Sequence, residues 1–491
     1  VTPPVDLAED AGSPKGFAGA KAGPLAAGAP VGPLVPMIIG AALFMQTLDA
    51  TVVSNALPTM ARALHRDPVT LNLAITAYLL ASAVFLPISA WVGDRFGSKT
   101  VFRAAIAGFA LSSLLCGLCE NLPELVAARV LQGVAGAMMT PVGRLVLLRT
   151  VPKGELVRAL SYLTMPALLG PMLGPPVGGF IVTFSSWRWI FFINIPMGVL
   201  GVVLTTFFVP EVREQRREPL DVRGFILSGL ALAGLVYGFD NLGRGLLPPL
   251  AVAAMIGAGA VLALAYARHA KTSSHPILDL TLLRIKTFKA ATIGGLLSRL
   301  VNGASPFLLA LLLQVGFGLS ALSAGLLTFV AAAGALLMKT TARPILSRFG
   351  FRTVLVVNAL LVAGLSALYG AFTAATAHWL LLIVLLVSGF FRSLQFTALN
   401  ALAYADVPAA SMSRASSMAS MFQQIAQSLG VGLAAVLVHA FASRGAPHAL
   451  AARDISPAFV VIAGISLCAL FFYARLPAGA GAEVSGRPAP S

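Results

Sequence analysis

Charge is scarce in this chain. Only 11% of its 491 residues are Asp, Glu, Lys or Arg, against roughly 25% in soluble domains. Acids are the scarcer sign, at 18 against 34 Lys and Arg. Cysteine is rarer still: Cys116, Cys119 and Cys468. Three cysteines exclude a disulfide framework. The Cys-Gly-Leu-Cys at 116–119 has no histidine pattern beside it, so packing residues are expected there, not a metal or redox centre. No catalytic triad or long soluble sensor domain stands out, so the chain is not expected to be an enzyme. The net charge of +16 has no basic stripe interleaved with aromatics, so it does not point to nucleic acid.

What remains is apolar. Hydrophobic residues make up 58%, and the mean hydropathy is +0.88. Runs of about 20 apolar residues recur, each long enough to cross a bilayer. The expected fold class is an all-α polytopic membrane protein. Fourteen spans are predicted, near 35–57, 70–92, 101–119, 122–146, 159–183, 189–209, 222–240, 247–267, 288–315, 320–339, 352–373, 378–404, 412–440 and 456–475.

Lys and Arg crowd alternate loops. One set holds Arg95, Lys99 and Arg103; Arg144, Arg149, Lys153 and Arg158; Arg213, Arg216 and Arg217; and Lys339, Arg343, Arg348 and Arg352. The opposite set holds only Arg62, Arg66, Arg188, Arg244, Arg444 and Arg453. The positive-inside rule then puts both termini in the cytoplasm.

Two stretches recur. Gly93-Asp-Arg-Phe-Gly-Ser-Lys99 follows span two, and Leu346-Ser-Arg-Phe-Gly-Phe-Arg352 follows span ten. Arg129-x-x-Gln132 lies in span four, and Arg392-x-x-Gln395 in span twelve. The repeat pairs spans one to six with nine to fourteen, leaving seven and eight as an extra pair. The expected organisation is a disordered cytoplasmic tail (1–33), a six-helix bundle (34–210), a linker with two additional transmembrane helices (211–287), a second pseudo-symmetric bundle (288–476) and a cytoplasmic tail (477–491). Two repeats around a midplane cavity are a transporter architecture.

An arginine inside an apolar span costs roughly 2.5–3.5 kcal/mol on insertion scales. Arg129, Gln132, Gly133 and Gly136 share one helix face, which cannot sensibly meet lipid. Asp49 is an acid within span one. It reads as a proton site, as a structural partner of Arg129, or as both. In the 93–99 turn, Gly93, Asp94, Arg95, Gly97 and Lys99 read as a gate at the cytoplasmic surface, with Arg348 and Gly350 in its repeat. Span five stacks Gly170, Gly174 and Gly178 with Pro175, Gly179 and three further prolines. That suggests close helix approach and a specialised bend at a domain interface. Candidate cavity residues are Gln46, Gln132, Arg299, Asn302, Arg392, Gln395, Phe396, Asn400, Phe422 and Gln423, a mixture suited to loose recognition.

These motifs together resemble the major facilitator superfamily, in its fourteen-span drug:proton antiporter branch. Leu48–Pro58, Gly93–Lys99, Arg129–Gly136, Gly170–Gly179 and Trp187–Gly198 carry the likeness, over roughly residues 35–475. Ala90 and Ser98 depart from the family's loop pattern. The resemblance implies that Asp49 and Arg129 couple protons, that Asp94 and Arg95 latch the two bundles, and that span five acts in switching. It implies proton-coupled efflux of small amphipathic compounds across the cytoplasmic membrane. The alternative is the same fold dedicated to one solute, such as a siderophore, a metabolite or a self-made antibiotic. Expected partners are the bilayer, protons and such substrates, with no cofactor and no nucleic acid. A monomer, and periplasmic or outer-membrane efflux partners, are left open.

Overall fold

The computed structural model describes residues 33–65, 71, 73–211, 219–242, 247–319, 321–442 and 451–485. The predicted tails therefore lie outside the described residues, except for residue 33 and residues 477–485. Most of the 211–223 loop lies outside them too.

Every long element is a helix. A backbone crossing hydrocarbon has no water to bond, and a helix satisfies its own N–H and C=O groups. Span one is Leu34–Ala63. Span two is broken into Leu73–Phe85 and Ser89–Phe96, bent by 62°. Span three is Ser98–Leu118, span four Leu122–Thr150, span five Leu156–Phe184 and span six Trp189–Phe208. Spans seven and eight are Val222–Asn241 and Pro249–Thr272. Span nine is Lys286–Gly316, span twelve His378–Leu402, span thirteen Met412–Ala442 and span fourteen Ala452–Tyr473. Local chemistry sets several ends. Asn121 accepts the Glu124 N–H at the start of span four, and Asp221 accepts the Gly224 N–H at the start of span seven.

By length and hydropathy, twelve helices among the described residues can cross a membrane, or thirteen with the bent pair as one span. The count falls one short of the predicted fourteen because spans ten and eleven follow each other without a loop in Ala321–Tyr369, two helices joined across a kink. Its 49 residues would span about 74 Å if straight, at 1.5 Å each, which is enough for two crossings of the hydrocarbon. It turns at Gly350, whose φ of 75° is left-handed. Gly97, its counterpart in the repeat, has φ 90° and separates spans two and three.

Spans one and five pack along each other, span four lies on two and three, and span nine lies on thirteen and fourteen. Span seven touches both halves. It packs on spans two and thirteen, burying Leu232 and Val236 beside Ala83 and Leu86. Span eight packs on span seven and leaves Leu250, Val261 and Leu264 exposed.

Three expectations change. Arg144 and Lys339, counted with loop charges, are buried inside helices. The long helices carry them inward, where hydroxyls receive them: Lys339 Nζ donates to Thr397 Oγ1 at 2.7 Å. The glycine stripe of span five faces span one within the first bundle, although span five also packs against spans ten to twelve of the second. A methyl group added at Gly170 would overlap Thr47 Oγ1, and one at Gly174 would overlap Thr51 Oγ1. Thr47 and Thr51 sit one turn apart and donate into span five, to Ala167 O (3.1 Å) and Gly170 O (3.3 Å). Gly179 stands apart, with nothing within 4 Å of an added methyl.

Candidate functional site

Asp49 lies at mid-span and is 1% exposed. Three donors converge on its carboxylate. Arg129 Nη1 reaches Oδ2 at 2.7 Å, while Gln132 Nε2 and Asn194 Nδ2 reach Oδ1 at 3.1 and 2.9 Å. Gln132 and Asn194 also donate to Ser113 Oγ, at 2.6 and 3.1 Å. Arg129 donates through Nε to Ala74 O at 3.3 Å and lies 4.6 Å over the Tyr78 ring. Spans one, two, three, four and six thus all contribute. Two ions removed from water are tolerable only when their remaining hydrogen-bonding capacity is also met, and this arrangement supplies partners for both carboxylate oxygens and for Nε and Nη1 of the guanidinium.

Gln132, expected in the cavity, is fully buried in this cluster. The reason is chemical: its amide bridges the pair, accepting from Arg129 and donating to Asp49. Ser113 and Tyr78 escaped the sequence reading because one serine and one tyrosine in apolar runs carry no signal. Asn194 does stand out, as an amide beside Pro196 within a span, but its partner lies 145 positions away.

The second bundle repeats the plan without the acid. The spacing that relates Gly97 to Gly350 also relates Asp49 to Asn302. Arg392 Nε donates to Asn302 Oδ1 at 3.1 Å. Gln395 is buried and accepts from Asn358 Nδ2 at 2.7 Å. Arg299 and Asn400 are buried together, with Arg299 Nη2 3.4 Å from Asn400 Oδ1. Gln395, Arg299 and Asn400 thus lie inside the protein, not on an open wall. Among the described residues, only the first bundle pairs its mid-span arginine with an acid.

Gln46, Asn302, Arg392, Phe396, Phe422 and Gln423 are half-buried at mid-span. Polar groups there cannot face hydrocarbon cheaply, so they are the candidates to line a cleft between the bundles. Gln46 connects this cleft to the acid. Its Nε2 donates to Tyr78 Oη at 3.1 Å and to Gly136 O at 3.2 Å, and Tyr78 lies under Arg129.

At the Gly97 end the bundles touch. Asp94 accepts from Arg149 Nη2 at 2.7 Å and from Ser413 Oγ of the second bundle. Ser89 and Ser417 hydroxyls lie 2.7 Å apart, and Ser416 Oγ donates to Pro141 O at 3.0 Å. Arg343 pairs with Glu155 at 2.9 Å. Small serines on span thirteen let the backbones meet, which explains their density there. Gly93 is buried, with Leu145 3.4 Å from an added methyl. Lys99 Nζ donates to Thr206 O at 2.8 Å within its own bundle. Arg95 and Arg348 are exposed, and Arg348 lies over the Phe349 ring. Asp94, not Arg95, therefore makes the contact across bundles.

Two helical bundles related by a repeat, meeting at one end below half-buried polar groups at mid-span, define a transporter of the alternating-access class. The chain belongs to the Major Facilitator Superfamily, whose family model matches residues 39–267 and 291–490. It is 39% identical over 448 residues to "Putative multidrug resistance protein MdtD" of Pectobacterium carotovorum subsp. carotovorum (strain PC1), covering 90% of this chain and 95% of the relative. The protein of the same name from Serratia proteamaculans (strain 568) is also 39% identical over 448 residues, covering 91% and 92%. Among solved structures, the fold is similar to the proton:xylose symporter XylE, with a TM-score of 0.63 at 15% identity over 92% of this chain and 98% of that one.

Proposed function

We propose that this transporter exports small amphipathic compounds across the bacterial inner membrane in exchange for protons. The observation that carries the reading is the Asp49 cluster: one titratable acid, closed off by Arg129, with Tyr78 and Gln46 leading to the cleft. Antiport requires proton and substrate each to lower the other's affinity. The charge of Arg129 is permanent, so proton binding at Asp49 breaks the ion pair and frees a cation toward Tyr78 and the cleft. Relatives named for multidrug resistance support the substrate class. The reading involves no catalytic step and no cofactor beyond the proton gradient.

The loop arginines orient the Gly97 end toward the cytoplasm, so this conformation is closed inside. Exposed positions allow a test in a background without the three native cysteines. An impermeant maleimide added from outside is expected to label Pro248→Cys but not Ser274→Cys. The reverse pattern would invert the topology.

Asp94 bridges Arg149 and Ser413 only while the bundles are closed at this end. Asp94→Asn is expected to lower turnover about tenfold, the order of a coupling of 1–3 kcal/mol, with substrate affinity nearly unchanged. A large affinity loss with turnover intact would remove Asp94 from the gate. The overall test is substrate-induced proton movement in proteoliposomes, screened over compounds of different charge. Absence of such movement across the whole panel would refute antiport.

A further inference from the structure

The buried charges of the described residues do not balance. The cations are Arg129, Arg144, Arg299 and Lys339; the acids are Asp49 and Asp454. Asp49 belongs to Arg129, and Asp454 accepts the Ala451 N–H at the start of span fourteen. No acid among the described residues pairs with Arg144, Arg299 or Lys339.

These three cations converge from both bundles. Arg299 Cζ and Lys339 Nζ lie 5.8 and 5.9 Å from the centre of one ring, Phe396. Arg144, across the bundle interface, lies within electrostatic reach of Arg299. Its Nη1 approaches Tyr404 Oη and Ser420 Oγ at 3.3 and 3.4 Å. Their neutral partners are few. Arg299 makes two bonds of 3.4 Å, to Ala291 O and Asn400 Oδ1, and its buried Nε has no partner. Lys339 has Thr397. An unpaired buried cation costs several kcal/mol, and a carboxylate beside it offsets that cost where geometry and hydrogen bonding are good. Phe396 is half-buried, so an apolar body resting on its exposed part would present its charged end to this cluster.

We propose that Arg299 and Lys339, with Arg144 opposite, form an anion subsite that selects substrates carrying a carboxylate or similar group on an apolar frame. This rests on the transport reading and narrows it, because a cationic drug would add a fourth like charge here. The anion also supplies negative charge shared by both bundles.

The test uses purified protein in detergent free of phosphatidylglycerol, with three probes of one shape: 4-phenylbutyrate, 4-phenylbutyramide and 4-phenylbutylamine. Binding is read by calorimetry or thermal stabilisation. The carboxylate is expected to bind at least about tenfold tighter than the amide, the step one charge-assisted hydrogen bond supplies, and the amine weakest. Arg299→Gln and Lys339→Met are each expected to bring carboxylate and amide to near equality, with amide binding retained as the control for folding. Lys339→Arg is expected to keep the preference. Equal binding of carboxylate and amide by the wild type, no carboxylate binding, or a preference that survives both neutral substitutions overturns the subsite. Tighter binding of inorganic phosphate or added phosphatidylglycerol than of the carboxylate also overturns it, assigning the cluster to those anions. Acid-selective binding without proton-coupled flux upholds the subsite and refutes the transport reading. Flux of the neutral probe without acid preference does the opposite.

Discussion

Proteoliposomes carrying Asp49→Asn are expected to move substrate down its gradient but not to concentrate it when a pH gradient is imposed. The substitution keeps the side chain's shape and removes its titration. It also puts an amide among three donors. With Oδ1 turned to Arg129, Nδ2 faces the N–H groups of Gln132 and Asn194. A buried donor left without an acceptor costs about 1–3 kcal/mol, so the variant will be less stable as well as uncoupled. Downhill movement separates the two effects, since an unfolded protein moves nothing specifically. Arg129→Lys is expected to retain more uphill transport than Arg129→Ala, and less than wild type. A lysine restores the charge but cannot reach Asp49, Gln132 and Ala74 at once as the planar guanidinium does. Concentrative efflux by Asp49→Asn at the wild-type rate would place coupling elsewhere.

The second large effect belongs to Gly174. Gly174→Val is expected to reduce initial efflux at least about tenfold while the protein still inserts and purifies. The branched side chain meets Thr51, whose hydroxyl is committed to Gly170 O and to its own helix. Overpacking of this kind costs about 1–3 kcal/mol, enough to bias spans one and five toward a single arrangement. Gly179→Val, five residues on and facing open space, is the matched control and should transport nearly as wild type. Equal loss at both positions would show that the effect arises from β-branching in the helix and not from the interface with span one.

Much of the architecture is legible along the chain because a bilayer simplifies the code. Twenty apolar residues without charge have essentially one fate, so the spans can be read from length and hydropathy alone. The repeat is legible for a related reason. Gly97 and Gly350 need the same left-handed turn, and Arg129 and Arg392 need the same interior. The Asp49–Arg129 pair could be expected because an acid and an arginine within apolar spans are each too costly alone. Where reading along the chain fell short, the cause was three-dimensional. A glycine stripe announces that something comes close but not what. Only the packed bundle shows that its partners are Thr47 and Thr51, in the same half. A glutamine beside an arginine looks like cavity lining, yet Gln132 turns inward because two buried ions demand its amide.

The sequence by itself determined the class of protein, the repeat, and the presence of one acid and one arginine inside apolar spans of the first half. Each of these depends on residue type and on spacing along a single helix, and both are local. The tertiary structure decided which side chains meet. Ser113 and Asn194 join Asp49, Asp94 rather than Arg95 crosses to the second bundle, and Arg144 and Lys339 leave the count of loop charges for the interior. It also decided that three buried cations share a region with no acid among the described residues paired to them. Those outcomes depend on how helices far apart in sequence turn their faces toward one another. A hydrophobicity pattern records which face is buried and carries no information about the neighbour that buries it.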